Sequence, residues 1–145
     1  MNLITVHTAE LKDFEEIATI DKEVFGSSCR RSVIKKAIEG KRCIKAVSDD
    51  RIAGFLIYDL NFFEQTFISL IIVPAEKRRK GYASSLLGYM AAHSPTQKIF
   101  SSTNQSNTNM QKVFKANGFT LSGIIENLDD GDPEIIFFKT KNPSQ

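Results

Sequence analysis

The sequence has few of the residues that mark disulfide-rich, fibrous or membrane-spanning chains. Its 145 residues include 2 cysteines, 4 prolines and 8 glycines. Two cysteines cannot form a multi-disulfide framework, and Cys29 and Cys43 lack the spacing of a C-x-x-C metal site. The small number of prolines and glycines excludes collagen-like and disordered chains. No apolar run is long enough to span a bilayer. We therefore expect a soluble cytoplasmic protein with no membrane contact and no metal site.

Neither sign of charge dominates the chain. The 19 Lys and Arg residues against 17 Asp and Glu residues give a formal net charge of +2. Nucleic-acid binding normally depends on a markedly basic face, so we expect no nucleic-acid partner. With 41% hydrophobic and 25% charged residues, the composition is that of an ordinary globular protein. The length predicts a single domain over residues 1–140, followed by a frayed tail at residues 141–145.

Hydrophobic periodicity predicts an α+β fold with the element order β-α-α-β-β-β-α-β-α-β-β. Short turns between three successive strands favour an antiparallel meander, and the strand, helix and strand that follow favour a parallel, right-handed crossover. The predicted strands are Leu3–His7, Cys43–Ser48, Ile52–Leu60, Phe67–Val73, Lys98–Thr103, Phe119–Glu126 and Glu134–Lys139. The predicted helices carry the apolar stripes Phe14–Phe25, Val33–Ile38, Ala83–Ala91 and Met110–Phe114. Thr8 is the expected N-cap of the first helix, and glycines at 26 and 40 are expected to end the first two.

The segment between the fourth strand and the third helix predicts an anion site. A strand that leads directly into a helix presents unpaired backbone N–H groups and the positive end of the helix dipole. Gly81 permits close backbone approach, and the four consecutive cations of Lys77–Lys80 add charge suited to a pyrophosphate. A solvated basic turn is the alternative interpretation. Neither a Walker loop nor a dinucleotide fingerprint fits, because both need more glycines.

The same segment resembles the signature of the GCN5-related N-acetyltransferases, the GNAT family. That signature reads Gln/Arg-x-x-Gly-x-Gly/Ala, and Arg78–Ala83 matches it between a strand and a helix. Downstream, Asn107 and Phe114–Phe119 are similar to the family block Asn-x6-Tyr-x3-Gly-Phe. The resemblance implies a mixed, mostly antiparallel sheet whose fourth and fifth strands are parallel and splayed, with acetyl-CoA between them. The implied cofactor-binding residues are Ile71, Ile72, Val73, Arg78, Arg79, Lys80, Gly81, Tyr82, Ala83, Ser84 and Asn107.

The resemblance does not identify the catalytic residues. Where many relatives have a Tyr that protonates the leaving thiolate, this chain has Phe114. Ser102 occupies the position of a Glu that serves some relatives as general base, and a hydroxyl is a poor base without a partner. Tyr58, Tyr82 and Tyr89 remain open as acids. We expect catalysis to depend on positioning, because proximity contributes about 7–11 kcal/mol whereas acid–base assistance contributes about 10²–10⁴-fold.

The sequence leaves the acceptor open. Five acidic residues cluster in the predicted last hairpin, and Glu126 and Asp129 are candidates for attracting a cationic amine, with an ordinary solvated turn as the alternative. Arg30 and Arg31 would instead suit an acidic acceptor. The resemblance implies an acetyl-CoA-dependent N-acetyltransferase that acts on a primary amine of a small molecule or peptide, as a monomer or homodimer. The rival is a non-catalytic acyl-CoA-binding sensor or interaction module of the same fold.

Overall fold

The structure is a computed structural model that describes residues 3–143. Its order of strands and α-helices matches the predicted one, with short 3₁₀ turns at Leu11–Asp13 and Ala75–Lys77. The strands are β1 (Thr5–Thr8), β2 (Cys43–Ser48), β3 (Arg51–Phe62), β4 (Gln65–Ile72), β5 (Lys98–Asn104), β6 (Thr120–Ile125) and β7 (Glu134–Thr140). The helices are α1 (Phe14–Phe25), α2 (Arg31–Glu39), α3 (Tyr82–His93) and α4 (Thr108–Ala116).

The seven strands form a mixed, mostly antiparallel sheet in the order β1-β2-β3-β4-β5-β7-β6. β4 and β5 are parallel, and their registered pairs run from Thr66–Ile99 to Ile68–Ser101. The described part of the chain forms two compact units. We call the residues up to Tyr58 with Leu70–Leu86 the N-terminal unit, and Asp59–Ser69 with the residues from Leu87 onward the C-terminal unit.

The core of the N-terminal unit lies between α1, α2 and the strands that they cover. Ile17 on α1, Ile34 on α2 and Phe55 on β3 are all fully buried. The two glycines predicted to end α1 and α2 lie at the C-cap positions, and Gly26 has the left-handed φ of 88° that favours glycine. The Thr8 prediction is wrong, because Thr8 is the last residue of β1. The helical segment is capped later, where the Glu10 N–H donates to Asp13 Oδ2 at 2.8 Å.

The core of the C-terminal unit contains a cluster of aromatic rings. The ring of Phe114 on α4 lies 5.4 Å from that of Phe119 and 5.0 Å from that of Phe137 on β7.

Near its C-terminal end, the chain is held by backbone hydrogen bonds: Lys141 donates to the Gln97 carbonyl and Asn142 to that of Ala91. Two residues of the predicted frayed tail therefore have fixed partners, and its last two residues lie outside the described range.

The turn between β3 and β4 is shorter than predicted. β3 continues through Phe62, beyond the predicted end at Leu60, so the turn contracts to Phe63 and Glu64. Both turn residues have positive φ angles, 52° and 65°, and so do Asp49 and Asp50 in the preceding hairpin. Positive φ at both central residues is the mark of the tight turns that match the twist of two antiparallel strands.

Candidate functional site

The turn between β4 and α3 has backbone conformations that few residue types adopt easily. Arg79 has a φ of 63° and Gly81 a φ of 91°, so Lys80 lies between two residues in the left-handed region. A Cβ on Gly81 would meet only Ile4 Cδ1, at 3.7 Å, which is ordinary contact. Glycine is therefore favoured here by backbone conformation and not by lack of space.

Backbone N–H groups at this turn are free to bind an anion. At the start of α3, the Ser85 N–H donates to the Gly81 carbonyl at 2.9 Å. Within residues 3–143, the N–H groups of Arg79 through Ala83 donate to no acceptor. The 12-residue helix that follows directs the positive end of its dipole to the same place.

The basic side chains of the turn divide into two groups. Arg78 Nε donates to the Val73 carbonyl at 3.0 Å, which closes the turn on the end of β4. Arg79 and Lys80 are exposed, and no ion pair in the described range involves either of them. Arg78 thus supports the turn, whereas the next two cations can contact a ligand.

The end of β4 depends on a glycine that the sequence analysis did not single out. A Cβ on Gly54 would lie 2.9 Å from the Ile72 carbonyl oxygen and 3.1 Å from Val73 Cγ2. Only glycine therefore allows β3 to approach this segment so closely. A glycine inside an otherwise apolar strand is the sequence signal that could have found it. Of the three predicted cofactor contacts here, Ile72 is buried and Ile71 and Val73 are half-buried.

A shallow cavity lies beside the turn, at the end of α1. It measures about 200 Å³, and its polar lining consists of Glu23, Glu76 and Arg78. Ligand sites usually occupy about 300–1,000 Å³. We therefore assign this cavity no binding role.

In the C-terminal unit, Asn107 acts as a helix cap. Its Oδ1 accepts a hydrogen bond from the Met110 N–H at 3.1 Å, at the start of α4. The residue is exposed, and its side-chain amide N–H groups have no acceptor within the described residues. The donor half of this side chain is therefore available to a ligand.

The Ser102 hydroxyl has a carboxylate partner that the sequence did not reveal. Its hydroxyl donates to Glu134 Oε2 at 2.6 Å, across the antiparallel pairing of β5 with β7. Both side chains are half-buried, and no described residue hydrogen-bonds to Glu134 Oε1. Sequence reasoning did not find this pair because its members are separated by 32 positions.

Much of the acidic hairpin holds the loop that follows β5. Asp129 Oδ2 accepts from Asn104 Nδ2 at 2.9 Å, and Asp132 accepts from the Ser106 N–H and hydroxyl at 2.9 and 2.6 Å. Glu126 is exposed and has no partner in the described part of the chain. Of the two predicted substrate residues, Asp129 thus already has a structural role.

The two arginines suggested for an acidic acceptor are engaged within the N-terminal unit. Arg30 forms an ion pair with Asp21, and Arg31 forms one with Glu15. Their guanidinium groups also lie over aromatic rings, those of Phe25 and Phe14. These contacts remove the main argument for an acidic acceptor.

Tyr82 is buried, and so are Phe114, at the position of the family's Tyr, and the Cys43 thiol. Phe114 is 1% exposed and Tyr82 is 6% exposed. The ring of Tyr89 lies 4.4 Å from that of His93. Burial raises the pKa of the Cys43 thiol to about 12, with a further contribution from the nearby Asp13 carboxylate. Cys43 is therefore a packing residue and not a nucleophile.

No helix within residues 3–143 combines the length and apolar character needed to cross a membrane. No group of three or more His, Cys, Asp or Glu side chains in the same range is arranged to hold a metal ion.

Comparison with known proteins places the chain in a family. Residues 11–119 match the model of the acetyltransferase (GNAT) family. A GNAT-family acetyltransferase from Bacillus cereus ATCC 10987 is 58% identical, covering 97% of this chain and 99% of that one, with a TM-score of 0.95. No curated protein matches the sequence.

Two more distant structures share the fold. The ribosomal-protein-S18-alanine N-acetyltransferase of Escherichia coli is 16% identical, with a TM-score of 0.80 and coverage of 99% of this chain and 97% of that one. Arabidopsis thaliana Naa50, in complex with the bisubstrate analogue CoA-Ac-MVNAL, is 17% identical, with a TM-score of 0.75 and coverage of 94% and 97%. On the family match and the 58% identical relative, the chain belongs to the GNAT acetyltransferase family.

Proposed function

We propose that the protein is an acetyl-CoA-dependent N-acetyltransferase that acts on a primary amine of a small molecule or peptide. The observation that carries this proposal is the turn from Arg79 to Ala83, at the start of α3. It combines free backbone N–H groups, a helix N-terminus and two unpaired exposed cations. Donor groups of this kind suit the diphosphate of coenzyme A, so the residues present fit the cofactor that the family uses.

The residues proposed to hold the cofactor have distinct roles. Backbone N–H groups from Arg79 to Ser84 would bind the diphosphate, assisted by the side chains of Arg79 and Lys80. Backbone groups of Ile71, Ile72 and Val73 would pair with the pantetheine arm. On family resemblance, the free amide N–H groups of Asn107 would make a further pantetheine contact. The side chains of Arg78, Tyr82 and Ala83 shape the turn without needing to contact the ligand.

Acetyl-CoA supplies the activated acetyl thioester, and the protein positions it for direct attack by a neutral amine. Backbone N–H groups near Ile72 and Val73 would polarise the acetyl carbonyl. The carboxylates of Glu126 and Asp129 would attract a cationic acceptor before reaction. Positioning is the larger contribution, since proximity is worth about 7–11 kcal/mol.

One observation favours the second candidate, a non-catalytic acyl-CoA sensor of the same fold. Phe114 has no exchangeable proton and is packed against Phe119 and Phe137. A protein that only senses acyl-CoA needs no acid at this position. The loss of that acid is compatible with an enzyme only if protons reach the leaving thiolate from water or another group.

A thiol-release assay distinguishes the two candidates. Acetyl-CoA would be incubated with the protein and a broad panel of amines, and free CoA thiol would be measured. The enzyme predicts amine-dependent release, whereas the sensor predicts cofactor binding without turnover. With an enzyme in hand, Phe114→Tyr tests proton delivery: a faster rate shows that the missing acid limits turnover, and an unchanged rate shows another proton source.

The diphosphate assignment has its own test. The double variant Arg79→Glu with Lys80→Glu should weaken CoA binding at least tenfold in isothermal titration calorimetry, because it replaces attraction with repulsion at the turn. The matched control, Lys36→Glu with Lys112→Glu, makes the same change in net charge at exposed helical positions. Unchanged CoA affinity in the first variant would remove the assignment.

A further inference from the structure

The strands of the C-terminal unit have two unequal faces. On the first face, Ile68, Ile99, Ser101 and Phe137 are buried. Helices contact this face: Phe114 of α4 stacks on Phe137, and Ser94, next to the end of α3, hydrogen-bonds to Thr66. Successive residues of a strand alternate between faces, so the neighbours of these residues point to the opposite side.

That second face carries a row of phenylalanines across four strands. Phe67, Phe100 and Phe138 are registered partners on β4, β5 and β7. The ring of Phe62 on β3 lies 5.0 Å from those of Phe67 and Phe100, and Phe100 lies 5.4 Å from Phe138. We call these four residues the aromatic row. All four remain half-buried, so the row keeps accessible ring surface.

The Ser102–Glu134 pair lies on the same face, beside the aromatic row. Ser102 is two residues beyond Phe100 on β5, which corresponds to about 7 Å along the strand. The hydroxyl of Ser102 fixes Glu134 Oε2 at 2.6 Å, and Oε1 is free of described partners. A fixed carboxylate with an open oxygen therefore lies on the same face of the sheet as the aromatic row.

We infer that this face binds the acceptor, and that the acceptor is a primary amine with an aromatic or otherwise apolar body. The ammonium group would bind Glu134, and the carbon body would lie on Phe100 and its neighbours in the aromatic row. Charge complementarity argues for this occupant, because a cation gains from the carboxylate and from the faces of aromatic rings. The inference rests on the proposed function, whose acceptor it narrows from amines in general to arylalkylamines and their apolar analogues.

The test measures binding and not turnover, so that it is independent of the transfer reaction. Phenethylamine would be titrated into the full chain without cofactor, followed by nuclear magnetic resonance. Ethylamine keeps the ammonium group but lacks the ring, and 3-phenylpropionate keeps the ring but reverses the charge. We expect phenethylamine to bind at least tenfold more tightly than either, because each probe lacks one of the two contacts.

Two variants separate the contributions. Glu134→Gln should weaken phenethylamine binding at least tenfold, and Phe100→Leu should weaken it about fivefold while leaving ethylamine unaffected. If circular dichroism shows that Phe100→Leu has not folded, Phe67→Leu replaces it. Asp130→Asn, an exposed carboxylate of the neighbouring hairpin, is the matched control and should change affinity less than twofold.

Several outcomes would overturn the inference. Equal binding of phenethylamine and ethylamine would exclude the aromatic row, and full affinity in Glu134→Gln would exclude the carboxylate. A stable dimer that dissociates on Phe100→Glu would assign the row to a second copy of the chain. Separately, failure to bind CoA would refute the proposed function, whatever the amine titration shows, so the two failures are distinguishable.

Discussion

Arg30 and Asp21 form a two-point ion pair at the start of α2. Arg30 Nη2 lies 2.5 Å from Asp21 Oδ1, and Arg30 Nε lies 3.2 Å from Oδ2. The carboxylate is almost fully buried, and the guanidinium lies 3.8 Å above the centre of the Phe25 ring. Bidentate geometry and burial make this pair stronger than an ordinary surface contact. It fixes the segment that leaves α1 at Gly26 and enters α2.

We expect Asp21→Ala to destabilise the protein by about 3 kcal/mol, near the lower end of the range for breaking a buried pair. The variant leaves the guanidinium without its carboxylate, although Arg30 can still reach water. Urea unfolding followed by circular dichroism measures the change. Glu15→Ala, which removes the exposed partner of Arg31, is the control and should cost less than about 1 kcal/mol. Equal losses in both variants would contradict this account.

Gly81→Ala should weaken both folding and CoA binding, because alanine disfavours the left-handed φ of 91°. The cost is about 1–2 kcal/mol, and it is conformational, since nothing closer than 3.7 Å opposes the new methyl group. Thermal unfolding and calorimetric titration with CoA measure the two effects.

Gly88→Ala provides the comparison from within the same helix. Gly88 lies inside α3 with no atom near its added Cβ, so alanine there should stabilise the protein by about 0.5–1 kcal/mol and leave CoA affinity unchanged. If both glycine variants behave alike, the backbone of the turn is not what the cofactor requires.

The sequence predicted well those parts of the fold that depend on hydrophobic periodicity and on turn residues within one short segment. β2 was predicted to the residue, and the glycines expected to end α1 and α2 both lie at C-caps. The residue at which the first helix begins was harder to predict. The Thr8 prediction failed because the Glu10–Asp13 contact begins the helical segment later. Val33 was assigned to an apolar stripe, yet it is 51% exposed, because the buried face of α2 consists of Ile34, Ala37 and Ile38.

Site features that depend on distant residues could not be predicted. The partner of Ser102 comes from β7, and the contact of Gly54 comes from the end of β4. Arg30 looked available to a ligand because its partner lies one helix earlier, on the buried side of α1. The turn between β4 and α3 was different: its strand, glycine, cations and helix are contiguous, so the sequence alone predicted this arrangement, and anion binding there stays a prediction.

The two cysteines should differ sharply in reactivity. Cys29 is exposed, whereas Cys43 is fully buried with a pKa raised to about 12 by desolvation and by the Asp13 carboxylate. Alkylation requires the thiolate, which Cys43 does not form near neutral pH. Iodoacetamide at about pH 8 should therefore modify Cys29 alone, as read by peptide mass spectrometry, and Cys43 should react only after unfolding. Comparable rates at both thiols in the folded protein would refute this picture.

Asp13 should make the free energy of unfolding depend on pH. Burial alone would raise the pKa of its carboxyl group, but the Glu10 N–H and the Lys45 ammonium, 2.9 Å away, together hold that pKa below the usual 3.8. A carboxyl group with a lowered folded pKa contributes stability above its unfolded pKa and loses it as the pH falls through the folded value.

The free energy of unfolding should therefore exceed that of Asp13→Asn at about pH 6, and the gap should close below about pH 3.8. Urea unfolding of both proteins across this range measures the gap. Asp50→Asn is the matched control: Asp50 is exposed in a hairpin turn, and its φ of 60° suits asparagine equally well. A constant gap between wild type and Asp13→Asn down to the lowest pH would show that the Lys45 contact does not stabilise the ionised carboxylate.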